Sequence, residues 1–371
     1  MISVELENNV PMKATRGYHE EVETCINETP TLAKQHKVII MTKPHKVVIT
    51  DFITDELEPE RDVLHDIAEV VSLDAHSEQD VVGRIEDADA VIIYHLLTLR
   101  KQTIERLKRC RIIVASGVGF DNVDHLYARQ RNIAVANVPD YGTEEVADTA
   151  IGMMLSLTRG ISYLNSYLRS DTSDWSHYSA TPVHRLRGRA LGIVGFGRIG
   201  TAVGLRAKAL GMDVIFYDPY VPDGRDKSIG VTRADSLEQL LPDAHALSLH
   251  CPLTAETRHM IDAEAISRMP QGAYLVNTSR GDVVDTSAIP GAIESGQLKG
   301  AAIDVLKDEP PLEDNPLIKA WRDPQHPAYH RVIINPHAAF YSEQGIYYLR
   351  QRGAQICRNA LLDLPVNTIV N

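Results

Sequence analysis

The sequence predicts an α/β protein built from two doubly wound parallel sheets. Three features of its 371 residues lead to this prediction. Short apolar runs alternate with helix-like segments along most of the chain, and such alternation is typical of parallel sheets. A glycine-rich turn with the spacing G-x-G-x-x-G follows one of these runs, at Gly195, Gly197 and Gly200. The chain is also long enough for two domains, each with its own core.

The first part of the chain carries one set of strand-like runs, at residues 47–50, 70–73, 90–94, 112–115 and 134–136. Segments 78–85 and 101–109 between them have helical spacing. A long helix follows, for which Thr143 is the expected cap and Arg159-Gly160 the end. Its apolar residues cover a wide arc, so we expect it to be buried. Segment 170–187 lacks periodicity and is expected to need a partner surface.

The segments on either side of the glycine turn indicate what the turn binds. An apolar strand at residues 190–194 precedes it, and a helix at 198–210 and a second strand at 214–217 follow, ending in Asp218. Strand, glycine turn, helix, strand and acid in this order form a dinucleotide-binding fingerprint, in which the helix N-terminus faces the phosphates. A solvated turn would explain the glycines but not this order. No Arg or Lys is adjacent to Asp218, so the pattern predicts NAD rather than NADP.

Composition excludes several classes of protein. The formal net charge of −12 argues against nucleic acid or an anionic membrane as a partner, because both require a basic surface. The four cysteines form no C-x-x-C pair, which favours a reducing compartment, predicted to be the cytoplasm, and no metal site. We find no apolar run of about 18 residues and no signal-peptide pattern at the start. These features predict an ordinary soluble protein.

A second set of strands is predicted at residues 247–251, 273–277, 301–305 and 332–335, and polar residues follow each of them. Ligands of doubly wound sheets bind beyond these carboxyl ends. Three of the residues there suit the reduction of a 2-oxo acid: Arg280 can hold a carboxylate, His337 can donate a proton, and Glu309 can keep that imidazole protonated. Each one alone could be a surface or turn residue, so their shared location carries the hypothesis.

These motifs resemble those of the D-isomer-specific 2-hydroxyacid dehydrogenase family, and most of all its C-terminal-binding-protein branch. The resemblance extends from about residue 46 to residue 369. It rests on Gly119-Phe-Asp-Asn-Val-Asp124, Gly195-Phe-Gly-Arg-Ile-Gly200, Phe216-Tyr-Asp-Pro-Tyr220, Val276-Asn-Thr-Ser-Arg-Gly281, Glu309-Pro310 and Pro336-His-Ala-Ala-Phe-Tyr341, among others.

The resemblance implies a role for each of these positions. It makes Arg280, Glu309 and His337 the catalytic residues. The implied cofactor contacts, including those of the fingerprint, are Gly195, Gly197, Arg198, Ile199, Gly200, Asp218, His250, Cys251, Pro252, Thr278, Ser279, Asp304 and Ala339. The implied substrate contacts are Tyr94, His95, Gly117, Val118, Gly119 and Phe340.

The same resemblance implies the domain layout and the activity. Residues 1–138, with an N-terminal extension at 1–45, and residues 338–371 should form a discontinuous, flavodoxin-like substrate domain. Residues 139–337 should form a Rossmann-type NAD-binding domain through which two copies make a homodimer. The active site should lie between the domains and catalyse the NAD-dependent reduction of a small 2-oxo acid to a D-2-hydroxy acid.

Two departures from the family affect the substrate. Ala115 stands where the family commonly has Arg, and Phe340 stands where the corepressor branch has Trp. Tyr94, Phe340 and Tyr341 offer aromatic surface, so we expect 2-oxo acids with apolar tails to be preferred over dianionic ones, unless Arg100 or Arg111 supplies a cation. Residues 311–330 are predicted to form a long loop rich in proline and charge.

Two other functions compete with this prediction. The chain could be an NADH-binding, redox-sensing scaffold that binds a partner peptide, as the corepressor branch allows. An oxidoreductase for formate or phosphite is disfavoured, because formate enzymes resemble a Gln–His pair rather than Glu309–His337.

Overall fold

The computed structural model describes residues 44–169, 174–180 and 182–371. Most of the predicted N-terminal extension (residues 1–43, with Cys25) lies outside the described residues, as do residues 170–173 of the segment expected to meet a partner. Within the part of the chain that is described, no helix has both the length and the apolar character needed to cross a membrane.

The first sheet has five parallel strands in the order β2-β1-β3-β4-β5. This is the flavodoxin-like order that was predicted. Apolar side chains cover both faces of the sheet, so the strands are buried almost throughout. In chain order its elements are β1 (His45–Ile49), α1 (Glu58–Leu64), β2 (Ala68–Ser72), β3 (Ala90–Ile93), α2 (Lys101–Ile104), β4 (Ile112–Ala115), α3 (His125–Gln130) and β5 (Ala134–Asn137).

The second sheet has seven parallel strands in the order β12-β11-β10-β9-β6-β7-β8, in which the chain order reverses at β6 as in a Rossmann-type sheet. The fold class is therefore confirmed. The elements are α4 (Thr143–Thr158), α5 (Ile161–Leu168), β6 (Ala190–Val194), α6 (Arg198–Ala209), β7 (Asp213–Tyr217), α7 (Arg225–Ile229), β8 (Thr232–Arg233), α8 (Leu237–Leu240), β9 (Ala246–Leu249), α9 (Ala263–Arg268), β10 (Ala273–Asn277), α10 (Ile289–Glu294), β11 (Leu298–Ile303), α11 (Pro316–Arg322), α12 (Ala328–Arg331) and β12 (Val332–Ile334).

Two connections join the sheets. Helix α4 follows β5 and packs its apolar residues into the core of the second sheet, as its wide apolar arc predicted. After β12 the chain returns to the first sheet through α13 (Glu343–Leu361), whose buried face packs on α1 and whose Arg350 is paired with the buried carboxylate of Glu60 (2.7 Å). The predicted boundaries near residues 138 and 337 fall in these connections, and their placement stays a prediction.

Several predicted elements are shorter or different. In segment 78–85 only residues 78–81 form a helical turn. Gly83 has a φ of +85°, a left-handed backbone conformation that does not continue the helix. In segment 101–109 the helix ends at Ile104, and the N–H groups of Arg106 and Leu107 bond to carbonyls only three residues back. Thr143 lies inside α4 rather than capping it, since the N-cap is Gly142.

The predicted loop at residues 311–330 contains two helices. Asn315 caps the first of them, because its Oδ1 accepts hydrogen bonds from the backbone N–H groups of Leu317 (3.0 Å) and Ile318 (3.2 Å). Pro316 suits the first helical position. The Asn-Pro pair was thus a helix-start signal, and the abundance of proline and charge in this segment concealed it.

Candidate active site

The residues predicted to act in binding and catalysis lie beyond the carboxyl ends of strands from both sheets. His250 follows β9, Arg280 follows β10 and His337 follows β12, while His95 follows β3 and residues 117–119 follow β4. In an open parallel sheet this edge is where ligands bind, because the loops there diverge and leave a crevice.

His337 and Glu309 form a hydrogen-bonded pair. The Nδ1 of His337 lies 2.7 Å from Oε2 of Glu309, and the other carboxylate oxygen accepts the backbone N–H of Leu306 at 2.7 Å. Burial raises the pKa of Glu309, but the hydrogen bond and positive charge of His337 outweigh it and hold that pKa below its usual range. Glu309 is therefore ionised near neutral pH, and the Nε2 of His337 is left available for a substrate.

Asp304 holds the turn that carries His337. Its carboxylate accepts hydrogen bonds from the backbone N–H groups of Ala338 (3.0 Å) and Ala339 (3.1 Å), and its carbonyl accepts that of His337 (2.8 Å). His337 itself has a φ of +52°, a backbone conformation that residues other than glycine rarely adopt. Burial raises the pKa of Asp304 despite these bonds. Asp304 thus has a structural task beside the predicted cofactor contact.

Arg280 is held from two directions. The side-chain amide of Asn277 donates to the carbonyl of Arg280 (2.9 Å), and Nη1 of Arg280 donates to the carbonyl of Ser279 (2.9 Å). From the first sheet, Asp121 accepts the Nε–H at 2.9 Å. A side chain at Gly119 would overlap the guanidinium, so this glycine permits the close approach.

Asp51 and Asn122 fix the loop that carries His95. The carboxylate of Asp51, fully buried at the end of β1, accepts the backbone N–H groups of Tyr94 and Leu96, both at 2.9 Å. The amide of Asn122 donates to the carbonyl of Tyr94 at 2.6 Å. The His95 ring lies 5.0 Å from that of His337, centroid to centroid. No sequence pattern predicted Asp51 or Asn122 as part of the site.

His95 is a neutral imidazole. Burial is the main cause that lowers its pKa, and the positive charge of His337 adds to the effect, so that the pKa falls to about 4. The Phe52 ring lies 4.8 Å from the His95 ring at a tilt of 58°, and Phe340 meets the His95 ring edge-on at 5.6 Å. His95 can therefore donate or accept a hydrogen bond at neutral pH, but it does not add a cation.

Tyr94 is a correction to the predicted substrate contacts. Its side chain is only 3% exposed and belongs to the core of the first sheet, where burial raises the pKa of its hydroxyl. Tyr94 follows Ile93, the last residue of β3, and packs in the same core cluster as Ile92, two residues earlier. The Phe340 ring lies 6.0 Å from that of His337, whereas Phe52 contacts His95. Tyr341 is 54% exposed, and its hydroxyl donates to Glu343.

The remaining predicted substrate contacts lie in the loop after β4. The side-chain amide of Asn137 donates to the carbonyl of Val118 at 2.7 Å, and the N–H of Val138 donates to the carbonyl of Gly117 at 2.9 Å. These bonds hold the loop in a fixed shape. The Val118 side chain is 39% exposed and offers apolar surface.

The three fingerprint glycines have different physical tasks. Gly195 has a φ of +87°, and a Cβ there would lie 2.6 Å from the backbone nitrogen of Cys251. A Cβ on Gly200 would overlap the carbonyl oxygen of Gly195. At Gly197 a Cβ would meet no atom within 4 Å, so no protein contact in the described structure requires a glycine there. The need at Gly197 is for open space above the N-terminus of α6, as a bound pyrophosphate demands.

Asp218 lies beside that turn. Its Oδ2 accepts the backbone N–H of Phe196 (2.7 Å), and its Oδ1 accepts that of Tyr220 (2.9 Å). Each oxygen keeps a lone pair that can accept a ribose hydroxyl. Arg233 donates from Nη2 to the carbonyl of Asp218 (3.0 Å) and from Nη1 to Asp223 (3.2 Å). No sequence pattern predicted this cation, which β8 brings beside β7.

Two buried polar atoms at the same edge have no hydrogen-bond partner among the described residues: Nδ1 of His250 and Oγ1 of Thr278. Such atoms cost free energy unless a ligand or water satisfies them. Burial lowers the pKa of His250 to about 3, so its ring is neutral. Together with the open space at Gly197 and the free lone pairs of Asp218, these atoms fit a dinucleotide along this edge.

The other predicted cofactor contacts differ in exposure. Burial raises the pKa of the Cys251 thiol to about 11, so it is protonated near neutral pH. The exposed members are Arg198 and Pro252, the half-buried ones are Ile199 and Ser279, and the buried ones are Cys251, Thr278, Asp304 and Ala339.

Arg100 and Arg111 were considered as sources of the positive charge that Ala115 lacks, and both contact other groups. Ala115 is 2% exposed in β4, so an arginine there would bring a charge into the core. Arg111 is paired with Asp363 and donates to the carbonyl of Leu361 (2.9 Å). Arg100 donates from Nη1 to the backbone carbonyl of Asp121 at 3.4 Å, a long contact.

The chain is similar to known proteins of one family. Residues 151–339 match the model of the D-isomer specific 2-hydroxyacid dehydrogenase NAD binding domain. Over 81% of its length the chain is 34% identical to C-terminal-binding protein 1 of Caenorhabditis elegans, and over 74% it is 34% identical to D-3-phosphoglycerate dehydrogenase of Methanocaldococcus jannaschii. The matches span 41% and 51% of these relatives, so the chain corresponds to about half of their length or less.

A solved structure extends the match to most of the chain. The D-lactate dehydrogenase of Aquifex aeolicus, in complex with NAD and lactic acid, superposes with a TM-score of 0.74 at 27% identity, over 85% of this chain and 96% of that one. The cofactor of the present protein is NAD, as the matched domain model indicates. The chain belongs to the D-isomer specific 2-hydroxyacid dehydrogenase family.

Proposed function

We propose that this protein catalyses the reversible, NAD-dependent reduction of 2-oxo acids to D-2-hydroxy acids. The observation that carries the proposal is the pair formed by His337 and Glu309, with Nδ1 and Oε2 2.7 Å apart, at the same sheet edge as Arg280. This edge provides a cation for a carboxylate and an imidazole for a carbonyl oxygen. Those are the two groups that a 2-oxo acid presents.

The proposed mechanism divides the work among three side chains. Nη1 and Nη2 of Arg280 bind the substrate carboxylate in a bidentate manner. The Nε2–H of His337 donates a hydrogen bond to the carbonyl oxygen and transfers its proton as negative charge develops there. NADH, when bound, supplies the hydride. Glu309 stabilises the imidazolium and orients it through Nδ1, and in the oxidation direction the neutral His337 accepts the proton.

The cofactor proposal is specific for NAD over NADP. The carboxylate of Asp218 can accept hydrogen bonds from ribose hydroxyls but repels a 2′-phosphate. Arg233 is nearby, yet its guanidinium is engaged by Asp223 and by the Asp218 carbonyl.

The substrate proposal is an oxo acid with an apolar tail. Phe340 and the neutral His95 line the approach to His337, and Ala115 leaves no second cation in β4. An apolar tail gains about 25 cal/mol per Å² on burial, whereas a second anion would be partly desolvated without a partner. We expect a higher kcat/KM for 4-methyl-2-oxopentanoate than for phosphohydroxypyruvate. The opposite preference would contradict the apolar pocket. The Ala115→Arg variant is unsuited to this test, because residue 115 is buried.

Assembly and location belong to the same proposal. The exposed apolar side chains of Ile161 (58%) and Trp175 (94%) suit a homodimer through the cofactor domain. We also propose a cytoplasmic location and domain boundaries near residues 138 and 337. Light scattering and sedimentation of the purified protein would test the dimer.

A second candidate function is a redox-sensing scaffold that binds NADH and a protein partner. The similarity to C-terminal-binding protein 1 favours it, although that relative is matched over only 41% of its length. NADH oxidation with a panel of 2-oxo acids distinguishes the two candidates. Turnover that His337→Gln abolishes supports the reductase. Tight NADH binding without turnover of any acid would favour the scaffold.

A further inference from the structure

Asp121 contacts the residue that is proposed to hold the substrate, although nothing in the sequence analysis assigned it a role. It follows β4 of the first sheet, and its Oδ1 accepts the Nε–H of Arg280, which follows β10 of the second, at 2.9 Å. We infer that Asp121 positions Arg280 and makes the site select against substrates that carry a second negative charge. This inference rests on the proposed function.

The loop around Asp121 is rigidly anchored. The amide of Asn122 donates to the carbonyls of Tyr94 (2.6 Å) and Leu97 (3.0 Å), and the carbonyl of Asn122 accepts the N–H of Leu99 (2.8 Å). These bonds tie the loop to the segment that carries His95. The carboxylate of Asp121 is therefore held in place rather than carried on a free loop.

The ion pair determines which edge of the guanidinium remains available. Nε is used by Asp121, and Nη1 gives one hydrogen to the carbonyl of Ser279 (2.9 Å). Gly119 lets the backbone lie directly against Nη2. The outer edge, formed by Nη1 and Nη2, keeps hydrogens for a bidentate carboxylate. Without Asp121 the guanidinium could rotate about its last bonds, and the substrate carboxylate would lose its fixed direction.

The same ion pair sets the charge that a substrate meets. Arg280 and Asp121 together are neutral, and the side chains of both are partly exposed (29% and 37%). One substrate carboxylate can bind the outer edge of the arginine. A second anionic group on the tail would then face the carboxylate of Asp121 with no cation in β4 to offset it, because Ala115 is buried and apolar. Arg100 is a nearby cation that could reverse this, since its Nη1 already reaches the Asp121 carbonyl.

The test compares two acids of the same carbon skeleton, 2-oxopentanoate and 2-oxoglutarate. Their dissociation constants are measured by calorimetry on protein loaded with NAD⁺, where no hydride donor is present, and kcat and KM are measured separately with NADH. The variants are Asp121→Asn, which keeps an acceptor for Nε, and Asp121→Ala, which does not. Asp213→Asn removes the same charge at the exposed start of β7 and serves as the matched control.

We expect the wild-type protein to bind 2-oxopentanoate at least about tenfold more tightly than 2-oxoglutarate, a difference of about 1.4 kcal/mol. Asp121→Asn should remove most of this preference, and Asp213→Asn should retain it. Raising the ionic strength should reduce the wild-type preference, because the repulsion is screened. Asp121→Ala should lower kcat for 2-oxopentanoate about tenfold relative to Asp121→Asn, since only the asparagine still holds Nε.

The outcomes separate this inference from the proposed function. An unchanged preference in Asp121→Asn, a wild-type preference for 2-oxoglutarate, or equal kcat values for the two Asp121 variants would overturn the inference. Failure of the NAD⁺-loaded protein to bind either acid would overturn it as well, because Arg280 would then hold no carboxylate. Binding that follows the expected pattern without any turnover would refute the reductase proposal and leave the role of Asp121 in binding supported.

Discussion

Replacing Gly197 by alanine should weaken cofactor binding without unfolding the protein. The backbone of Gly197 has a φ of −73° and a ψ of −148°, and an added Cβ would meet no atom of the described chain within 4 Å. This ψ lies at the edge of the extended region, so a glycine-to-alanine change there should cost about 1 kcal/mol of stability. The melting temperature of the NAD-free variant should therefore lie within roughly 3 °C of the wild type.

The same methyl group would occupy the space proposed for the pyrophosphate. A phosphate pushed away from the N-terminus of α6 loses one charge-assisted hydrogen bond to a backbone N–H, at about 1.5–3 kcal/mol. The dissociation constant for NADH should then rise between about 10- and 150-fold. Fluorescence titration with NADH and calorimetric melting without NADH measure the two effects separately on one preparation of protein.

Gly200→Ala is the matched control. A Cβ at this position overlaps the carbonyl oxygen of Gly195, so β6 and α6 must separate, and such overpacking costs about 1–3 kcal/mol. This variant should melt at a lower temperature even without NADH. Wild-type NADH affinity in Gly197→Ala would refute the placement of the pyrophosphate. An equal decrease in the melting temperature of both variants would refute the proposal that only Gly200 is required for packing.

Three further predictions concern acids and imidazoles. Glu309→Gln should move the alkaline limb of the reduction pH profile to lower pH, because the imidazolium of His337 loses its carboxylate partner, and an unshifted limb would contradict the role of Glu309. His337→Gln should lower kcat by about 10² to 10⁴ while NADH still binds. NADH should bind at least about tenfold more tightly than NADPH, and equal affinities in titrations would contradict the proposed role of Asp218. Burial lowers the pKa of His250 from 6.5 to about 3, so between these pH values the imidazole is protonated in the unfolded protein but not in the folded one. The free energy of unfolding of the wild type should therefore fall as the pH drops below about 6.5. Denaturation at a series of pH values should show a less steep fall for His250→Gln.

The strand pattern and the fingerprint were predictable from the sequence because both depend on local spacing. Short apolar runs indicated every strand of both sheets except β8, which has only two residues, Thr232 and Arg233, and no apolar run. The order of glycines and acid located the cofactor turn. Short helices were less predictable. The helix that starts at Pro316 has a clear cap in Asn315, yet the surrounding charge suggested a loop, and segment 78–85 had helical spacing although Gly83 ends it. Spacing alone does not show whether enough residues follow to complete a helix.

The residues that support the site were harder to predict than those expected to perform chemistry. Arg280, Glu309 and His337 stood out because their side chains suit the reaction. Asp121 contacts Arg280 across 159 residues of sequence, and Arg233 reaches Asp218 because β8 pairs with β7. These contacts depend on how two strands or two sheets are arranged, and the local sequence pattern does not show that arrangement. Tyr94 shows the converse error, since its place in a motif suggested a ligand contact while the end of β3 directs it into the core.

Three acids at strand ends share a task that explains how the site is held. Asp51 follows β1 and binds N–H groups after the neighbouring β3, Asp218 follows β7 and binds Phe196 after the neighbouring β6, and Asp304 follows β11 and binds N–H groups after the neighbouring β12. Where a parallel strand ends, its loop leaves the sheet and its N–H groups lose their ladder partners. A carboxylate on the next strand accepts them and fixes the direction of the loop. The loops thus held carry His95, the glycine turn and His337, so an acid at the end of a buried strand marks the loop beside it as one whose position matters.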